Sequence, residues 1–236
     1  MSRIGFFTSP QHPCGYLDDM QATTLFADPR VELNVQTYTR LSAYGFRRSG
    51  THVYRPHCLP CRACVPVRVD VDKFTPRRMH KRTVRKNADL AIVECPAEYR
   101  SEHFALYERY LKARHPDSQM EASSPDAYIS FLTASWTRTK FYEFRLDDEL
   151  LAVAVVDKLL GALSAVYTFF APEHEDRSLG RFAILKQIEW AQAARLPWVY
   201  LGYWIEHSPK MNYKNEYAPL QYFRAGRWQT DARRSI

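Results

Sequence analysis

Apolar residues in the second part of the chain recur with two periods, one typical of strands and the other of helices. Short apolar or alternating runs predict strands at 89–95, 140–146, 150–157, 163–170 and 198–204. Runs with apolar residues three and four positions apart predict amphipathic helices at 101–115, 125–136 and 178–195. Each predicted helix begins beside a serine that can cap it, and these serines are Ser101, Ser124 and Ser178.

The chain before residue 75 has a different pattern, without a long helical period. Short runs at 31–40, 52–56 and 65–71 predict strands joined by turns. This part holds six prolines and four of the five cysteines. We therefore predict two domains, a cysteine-containing N-terminal domain at 1–75 and a second domain at 76–236.

The order of elements in the second domain is strand, helix, helix, three antiparallel strands, helix, strand. Alternating strands and helices predict an α+β or α/β class. This particular order looks like the acyltransferase fold of the GCN5-related N-acetyltransferases. We therefore predict an α+β protein with an acyltransferase-like core and a small N-terminal domain.

Composition is that of an ordinary soluble globular protein, with 236 residues, 46% hydrophobic and 25% charged. No apolar run approaches the roughly 18 residues that a membrane-spanning helix needs. The first residues also lack the charged-then-apolar pattern of a secretory signal. We expect a cytoplasmic protein without a membrane partner.

The net charge of +7 is unevenly distributed along the chain. Six basic residues lie in the run "RRMHKRTVRK" at 77–86, and on a helix several of them would share one face. Such a face is either a solvated surface or a set of contacts to RNA phosphates, which would weaken steeply with salt.

Three cysteines follow one another at a spacing of three: Cys58, Cys61 and Cys64. A ferredoxin-like run would continue with a fourth cysteine, but Arg68 stands at that position. Cys14 can supply the fourth thiolate, and four thiolates suit zinc or an iron–sulfur cluster. His12 and His57 are substitute ligands, and Cys95 lies outside the set. Packed reduced thiols and a labile disulfide are the alternatives.

The helix at 178–195 begins with "RSLGRF", where an acyltransferase would hold its anionic acyl carrier. Arg177 and Gly180 match the usual pattern for acetyl-coenzyme A, but Phe182 replaces a small residue. A bulky side chain there would obstruct a pyrophosphate and favours another carrier, although a packed core phenylalanine is the simpler interpretation. Downstream, "KMNYK" adds lysines and a tyrosine of the kinds that contact phosphates and stack on bases.

Several longer segments together give the chain a specific resemblance. They are "CGYL", "GFRRSGTHVYRPHCLPCRACVPVRV", "NADL", "YLKARH", "LSAVYTFFAPE", "RSLGRFAIL" and "YLGYWIEHSPKMNYK". They run in order to about residue 228, and through them the chain resembles the bacterial aspartate/glutamate leucyltransferases, which are leucyl-tRNA–protein transferases. The resemblance implies transfer of leucine from leucyl-tRNA to the α-amine of proteins that begin with Asp or Glu. It also implies that the product enters the N-degron (N-end rule) pathway of protein degradation.

Three other activities remain as alternatives. The first is the sister arginyl-tRNA–protein transferase, the second a zinc-ribbon RNA-binding protein without catalysis, and the third a coenzyme A-dependent acetyltransferase. Related eukaryotic transferases carry Cys-Gly-Tyr-Cys near the N-terminus, whereas this chain has Leu17 in place of the second cysteine. No DNA partner is expected, and the chemistry itself requires no cofactor.

This implied reaction assigns candidate roles to particular residues. Backbone amides around the fourth strand of the acyltransferase-like core and around Gly180 are candidates for the oxyanion, and Tyr203 for the proton donor to the leaving ribose oxygen. The acceptor's side-chain carboxylate calls for arginine, which the chain offers at Arg47, Arg48 and Arg55. The predicted aminoacyl-tRNA contacts are Arg77, Arg78, Lys81, Arg82, Arg85, Lys86, Arg177, Arg181, Lys210, Tyr213 and Lys214.

Overall fold

The computed structural model describes residues 4–114 and 124–230. Its first part contains a four-stranded antiparallel sheet in the order β1-β4-β6-β5 and a two-stranded sheet of β2 and β3. These strands are β1 (Phe6–Thr8), β2 (His12–Pro13), β3 (Gln21–Ala22), β4 (Thr24–Ala27), β5 (Arg47–Ser49) and β6 (His52–Pro56).

A helix, not a strand, occupies much of the segment predicted as extended at 31–40. This helix is α1 (Val35–Ala43), and the side chain of Asn34 caps it by accepting from the Thr37 N–H. Tyr38, Leu41 and Ser42 are buried on one face of α1, at the spacing that a helix requires. The strand prediction was wrong because it rested on the β-branched residues of this segment, whereas the Asn34 cap favours a helix.

An eight-stranded mixed sheet dominates the rest of the molecule, in the order β14-β13-β7-β12-β11-β10-β9-β8. Its strands are β7 (Val65–Asp70), β8 (Ala91–Pro96), β9 (Thr139–Leu146), β10 (Glu149–Leu159), β11 (Ala162–Phe170), β12 (Trp198–Trp204), β13 (Leu220–Arg224) and β14 (Arg227–Thr230). The helices are α2 (Arg78–Lys86), α3 (Ser101–Arg114), α4 (Pro125–Leu132) and α5 (Leu179–Ala193). Only β11 and β12 pair in parallel among these neighbours. The mixed α and β composition confirms the coarse fold class.

The second-domain strands and helices form where the periodicity predicts them, with differences at their ends. Helix α4 ends at Leu132 rather than at 136, while Ser124 caps it as expected. Ser178 is left-handed at φ 54° and makes no side-chain cap bond, so its predicted capping role was wrong. The hairpin of β13 and β14 was not predicted. Residue 115, the last of its predicted helix, lies outside the described residues.

The main core lies between the large sheet and helices α3 and α5. Tyr107, Tyr128 and Phe169 meet there with ring centroids 5.0 to 6.1 Å apart. Phe182 is buried in the same core, 5.6 Å from the Phe144 ring. Its side chain therefore packs inside the protein and is not directed at a ligand. No helix within the described residues is long and apolar enough to cross a membrane.

Strand β7 connects the two predicted domains. It lies inside the large sheet, between β12 and β13, although it precedes residue 75. The division at residue 75 stays a prediction, and the structure adds that the last strand before it hydrogen-bonds to strands from the far end of the chain.

Arg48 ties the small sheet to the large one through a buried ion pair. Its Nε and Nη2 atoms donate to the carboxylate of Asp157 on β10 at 2.6 and 2.7 Å, and both side chains are fully buried. Nη2 also donates to the Leu132 carbonyl at the end of α4, 2.9 Å away, and to the Thr139 hydroxyl, 3.0 Å away. These bonds leave the guanidinium no room for a ligand, so the prediction that Arg48 binds an acceptor carboxylate was wrong.

We expect Arg48→Met and Asp157→Leu, made singly, each to lower the free energy of unfolding by about 3 to 5 kcal/mol, because each leaves an uncompensated buried charge. The double variant Arg48→Met/Asp157→Leu should recover most of that loss. Urea unfolding of the three variants measures this. Single changes that cost less than about 1 kcal/mol would show that the pair does not behave as a buried ion pair.

Candidate functional site

The parallel pairing of β11 with β12 covers only three positions. Residues 162–164 pair with 198–200, and beyond them both strands continue without pairing to each other. β12 also changes register against β7 between Tyr200 and Gly202. The two strands therefore diverge in the middle of the sheet, and backbone groups along the resulting gap need other partners.

Arg47 enters this gap from β5. Its Nη2 donates to the Val166 carbonyl on β11 at 3.0 Å. On the other side, a Cβ placed on Gly202 of β12 would lie only 3.1 Å from Nη1. Gly202 also has φ +77°, so glycine serves both the backbone conformation and the close approach of the guanidinium.

Tyrosines, not carboxylates, surround Arg47. Tyr54 is its cross-strand partner on β6, and the charges of Tyr54, Tyr16 and Tyr203 raise its pKa, against an opposing effect of burial. Within the described residues Arg47 has no ion-pair partner. A half-buried guanidinium with no acidic partner among the described residues is a strong site for a carboxylate from outside the chain.

A small cavity lies beside Arg47. It is lined by Tyr38, Ser42, Ser164 and Gly202 among others, and its volume is about 20 Å³, room for one or two water molecules. Tyr16 and Tyr54 do not line this cavity. Tyr16 is 38% exposed, so solvent reaches the arginine's surroundings on the tyrosine side.

Tyr203 holds the strand that carries Arg47. Its hydroxyl faces the Gly45 and Tyr54 carbonyls at 3.3 and 3.0 Å, and the residue is 1% exposed. Burial raises its pKa well above the ordinary value, with Tyr54 next in effect. The hydroxyl proton is committed to backbone carbonyls, so the predicted role as proton donor was wrong and Tyr203 is a positioning residue.

Lys214 is predicted to contact tRNA, but its side chain lies in the interior of the protein. The residue is 4% exposed, and its Nζ donates to the Tyr203 carbonyl at 2.5 Å. Burial lowers its pKa well below the ordinary value, and the charge of Arg47 lowers it further, whereas Cys64 opposes the shift. A side chain so enclosed cannot meet a tRNA phosphate on the surface, and that prediction was wrong.

Arg55 lies apart from the gap. Its Nη1 donates to the Tyr44 carbonyl at 3.2 Å, and its guanidinium covers the Phe46 ring at 4.9 Å. Of the three arginines predicted for the acceptor, the structure places only Arg47 in the gap between β11 and β12.

The predicted basic helix forms as α2, which packs on α5 and has His80 and Thr83 buried. Its six basic residues are all exposed: Arg77, Arg78, Lys81, Arg82, Arg85 and Lys86. Only Lys86 has an ion-pair partner within the described residues, at Asp176. The remaining five present an unpaired positive face.

The far end of α2 is fixed beside the start of α5. The Asn87 amide donates to the Arg177 carbonyl at 2.9 Å, and Arg177 forms a two-point ion pair with Asp89. Gly180 lies in the first turn of α5, where backbone N–H groups have no partner in the helix. The basic face therefore leads towards a helix end suited to anionic groups.

The other predicted contacts near α5 divide between paired and exposed residues. Arg181 pairs with Glu216 at 3.0 Å, so its charge is already compensated. Lys210 is exposed, and Tyr213 is 40% exposed. Partial burial raises the pKa of Tyr213 to about 12, Tyr110 adds to the rise and Arg47 opposes it. The Tyr213 ring lies 5.8 Å from the Lys214 Nζ and can be reached from solvent.

Among the four predicted metal ligands, Cys64 is influenced by the other three. Burial raises the pKa of Cys64 to about 12, and Cys14, Cys58 and Cys61 each add to the rise. Their side chains remain free thiols, and Cys58 contacts the Thr23 backbone. Within the described residues, no three His, Cys, Asp or Glu side chains are arranged to hold a metal ion. The sulfur set is chemically suited to zinc or iron, but its arrangement in this structure is not a closed coordination site.

Sequence reasoning missed Gly202, Tyr54 and Tyr16 as parts of the site. A glycine inside the buried strand "YLGYW" is the one available signal, because it indicates a bulge or a close approach of another group. The two tyrosines gave no signal of their own in the sequence.

Comparison with known proteins shows the family to which this chain belongs. Residues 12–82 match the family "Arginine-tRNA-protein transferase, N terminus", and residues 102–224 match its C-terminal counterpart. An aspartate/glutamate leucyltransferase from Teredinibacter turnerae is 52% identical over 94% of this chain and 91% of its own length. One from Alcanivorax borkumensis is 50% identical over 97% of this chain and 95% of its own length. The chain belongs to the aspartate/glutamate leucyltransferase family.

Two solved structures that resemble this chain share less of its sequence than these family members do. The C-terminal domain of a protein assigned as a lysylphosphatidylglycerol synthetase, from Agrobacterium fabrum, is 15% identical with a TM-score of 0.47. The match covers 61% of this chain and 48% of that domain's chain. A likeness of this size supports no conclusion about function.

Proposed function

We propose that this chain transfers leucine from leucyl-tRNA to the α-amine of proteins whose first residue is Asp or Glu. The product then carries an N-terminal leucine that marks it for degradation by the N-degron pathway. Membership of the leucyltransferase family supports the reaction class. The observation that carries the acceptor preference is Arg47, a guanidinium in the β11/β12 gap without an acidic partner among the described residues.

The protein has two main tasks in this reaction: it aligns the acceptor amine with the leucyl ester, and it stabilises the charge that develops on the ester carbonyl oxygen. An α-amine has a pKa near 8, so a useful fraction of it is already nucleophilic at neutral pH. Its nitrogen forms an amide bond to the leucyl carbonyl carbon, the ester C–O bond breaks, and the ribose oxygen leaves with a proton. Backbone N–H groups around Gly180 would stabilise the intermediate oxyanion. No cofactor takes part in this scheme.

The acceptor's side-chain carboxylate would bind Arg47. This arginine approaches the gap from β5, while the acceptor can enter from the side of the exposed Tyr16. Bidentate pairing of a guanidinium with a carboxylate gives both strength and direction. A neutral Asn or Gln side chain of the same shape would lose the charge-assisted part of that interaction.

The tRNA would lie along the exposed face of α2. The five basic residues without ion pairs offer contacts to phosphates, and α2 is fixed beside the first turn of α5. A tRNA held there would bring its acylated end towards Gly180 and Tyr213. An acyltransferase core related to the N-acetyltransferases, a separate N-terminal unit and a cytoplasmic location are further parts of the proposal.

The cysteines would bind zinc or an iron–sulfur cluster, at a distance from the chemistry. The four free thiols, and the electrostatic influence of Cys14, Cys58 and Cys61 on Cys64, support this, although no three of them are arranged to hold an ion among the described residues. The group would stabilise the N-terminal part of the chain, and no step of the transfer passes through it.

Transfer itself is tested with labelled leucyl-tRNA and peptides that differ only in their first residue. We expect transfer to Asp and Glu peptides, little to Asn and Gln peptides, and little with arginyl-tRNA as donor. Transfer from arginyl-tRNA alone would assign the sister activity. Binding of tRNA without any transfer would leave the non-catalytic alternative, and rapid acetylation by acetyl-coenzyme A would favour an acetyltransferase.

In the same assay, Arg47→Met should raise the KM for an Asp peptide at least about 10-fold. Arg40→Met, on the exposed end of α1, is the matched control.

Three charges on α2 are removed together in the variant Arg78→Ala/Lys81→Ala/Arg82→Ala. This variant should bind leucyl-tRNA more weakly, and its binding should be less sensitive to salt. The slope of log affinity against log salt concentration should fall in magnitude by roughly 2 to 3, because each lost phosphate contact removes about 0.7 to 0.9. A control triple variant, Arg40→Ala, Lys140→Ala and Lys158→Ala, loses the same charge elsewhere. Equal effects of the two triple variants would remove the assignment of α2.

Elemental analysis of protein prepared without oxygen tests the metal proposal. We expect about one zinc ion per chain, or iron with matching sulfide, and loss of the metal in Cys61→Ser. That variant should lose stability, while kcat of the remaining folded protein stays close to the wild-type value. A preparation with neither iron nor zinc contradicts the proposal.

A further inference from the structure

The gap between β11 and β12 contains two cations. Arg47 donates to the Val166 carbonyl on β11, and Lys214 donates to the Tyr203 carbonyl on β12. Tyr203 lies beyond Tyr200, the last residue of β12 that pairs with β11. Each cation thus satisfies a backbone oxygen that the diverging strands leave without a regular partner.

Neither cation has an ion-pair partner within the described residues. Burial of a lysine in this way is costly, because the ammonium loses its hydration and no carboxylate replaces it. A neutral donor such as glutamine could satisfy one carbonyl at a lower cost. The charge of Lys214 therefore calls for an explanation beyond its hydrogen bond to Tyr203.

The ammonium of Lys214 also has unused capacity. An ammonium has three N–H donors. One of them meets the Tyr203 carbonyl at 2.5 Å, and the thioether sulfur of Met211 lies 3.7 Å from Nζ. One donor is left for a group from outside the chain. The Tyr213 side chain is 40% exposed, and its ring centroid lies 5.8 Å from the Nζ of Lys214.

We propose that Lys214 is the second cation for the acceptor's side-chain carboxylate and, with Arg47, sets the preference for an acidic over a neutral first residue. This inference rests on the proposed transferase function. A single carboxylate has two oxygens, enough to accept from both cations at once. Its charge would offset the burial of the ammonium and the repulsion between the two cations.

Electrostatics around the lysine agree with an incoming anion. The groups that act on Lys214 are Arg47, which disfavours its charged form, and Cys64, which favours it. Burial is the largest influence and also disfavours the charge. A bound carboxylate reverses this balance. A tRNA phosphate is a poorer occupant, because the exposed face of α2 already offers phosphates a solvated site outside the gap.

Steady-state kinetics on two peptides, one starting with Asp and the other with Asn, test the assignment. In Lys214→Met the KM for the Asp peptide should rise at least about 10-fold, while the KM for the Asn peptide changes little. The Asp/Asn specificity ratio should fall by the same factor. Lys214→Gln, which keeps a donor for the Tyr203 carbonyl but has no charge, should show the same loss. Lys214→Arg, which keeps the charge, should retain the preference. Lys73→Met, an exposed lysine before α2, is the matched control.

A double variant separates shared binding from two independent effects. If Arg47 and Lys214 hold one carboxylate, the combined loss in Arg47→Met/Lys214→Met will be smaller than the product of the single losses. Losses that multiply would show that the two cations act on different groups and would overturn the proposal.

Other outcomes are equally decisive. If Lys214→Met fails to fold, as judged by circular dichroism, Lys214→Gln takes its place. An unchanged Asp/Asn ratio in the folded neutral variant, with only kcat or stability reduced, would overturn the assignment. Failure of the transferase proposal is distinct from these results, because the wild-type chain would then transfer leucine to neither peptide.

Discussion

The ion pair between Arg48 and Asp157 is the constraint on which the site depends. Two consecutive residues of a strand point to opposite faces, so the direction of Arg48 determines the direction of Arg47. Arg48 points into the protein and is held by Asp157 and by the carbonyl at the end of α4. Arg47 is thereby directed into the gap between β11 and β12. Arg48 thus has a structural role, and through it the position of Arg47 is fixed.

The divergence of two strands inside the large sheet creates the gap that is proposed to bind the acceptor. A continuous sheet would satisfy its backbone with neighbouring strands and leave nothing for a substrate. Here the sheet opens after three paired positions, and charged side chains supply the missing hydrogen bonds. The opening is polar and cationic, yet it is surrounded by aromatic side chains. The tyrosines around Arg47 leave it half-buried, which strengthens any charge–charge interaction formed within the gap.

The sequence predicted the strands and helices of the large sheet because their apolar periods are long and unambiguous. The helix α2 and its exposed basic residues were also predicted from the sequence, since charge density is visible there, while the role of Arg47 stays a prediction. The hydrogen-bond partners of Arg48, Tyr203 and Lys214 could not be predicted, because a polar residue's partner depends on strands that meet only after folding. Arg48 and Asp157 are 109 positions apart. Helix α1 was missed for the opposite reason, since a local asparagine cap outweighed the extended appearance of the residues after it.

The place of β7 in the sheet has a consequence for the order of events during synthesis. Residues 65–70 leave the ribosome early, but their two neighbouring strands, β12 and β13, are made near the end of the chain. Until those strands emerge, the valines of β7 have no sheet to join and present an apolar surface. Contacts of such long sequence separation make folding slow. The growing chain must therefore protect this segment for most of its synthesis, and the gap that holds Arg47 closes into shape only when nearly all of the protein exists.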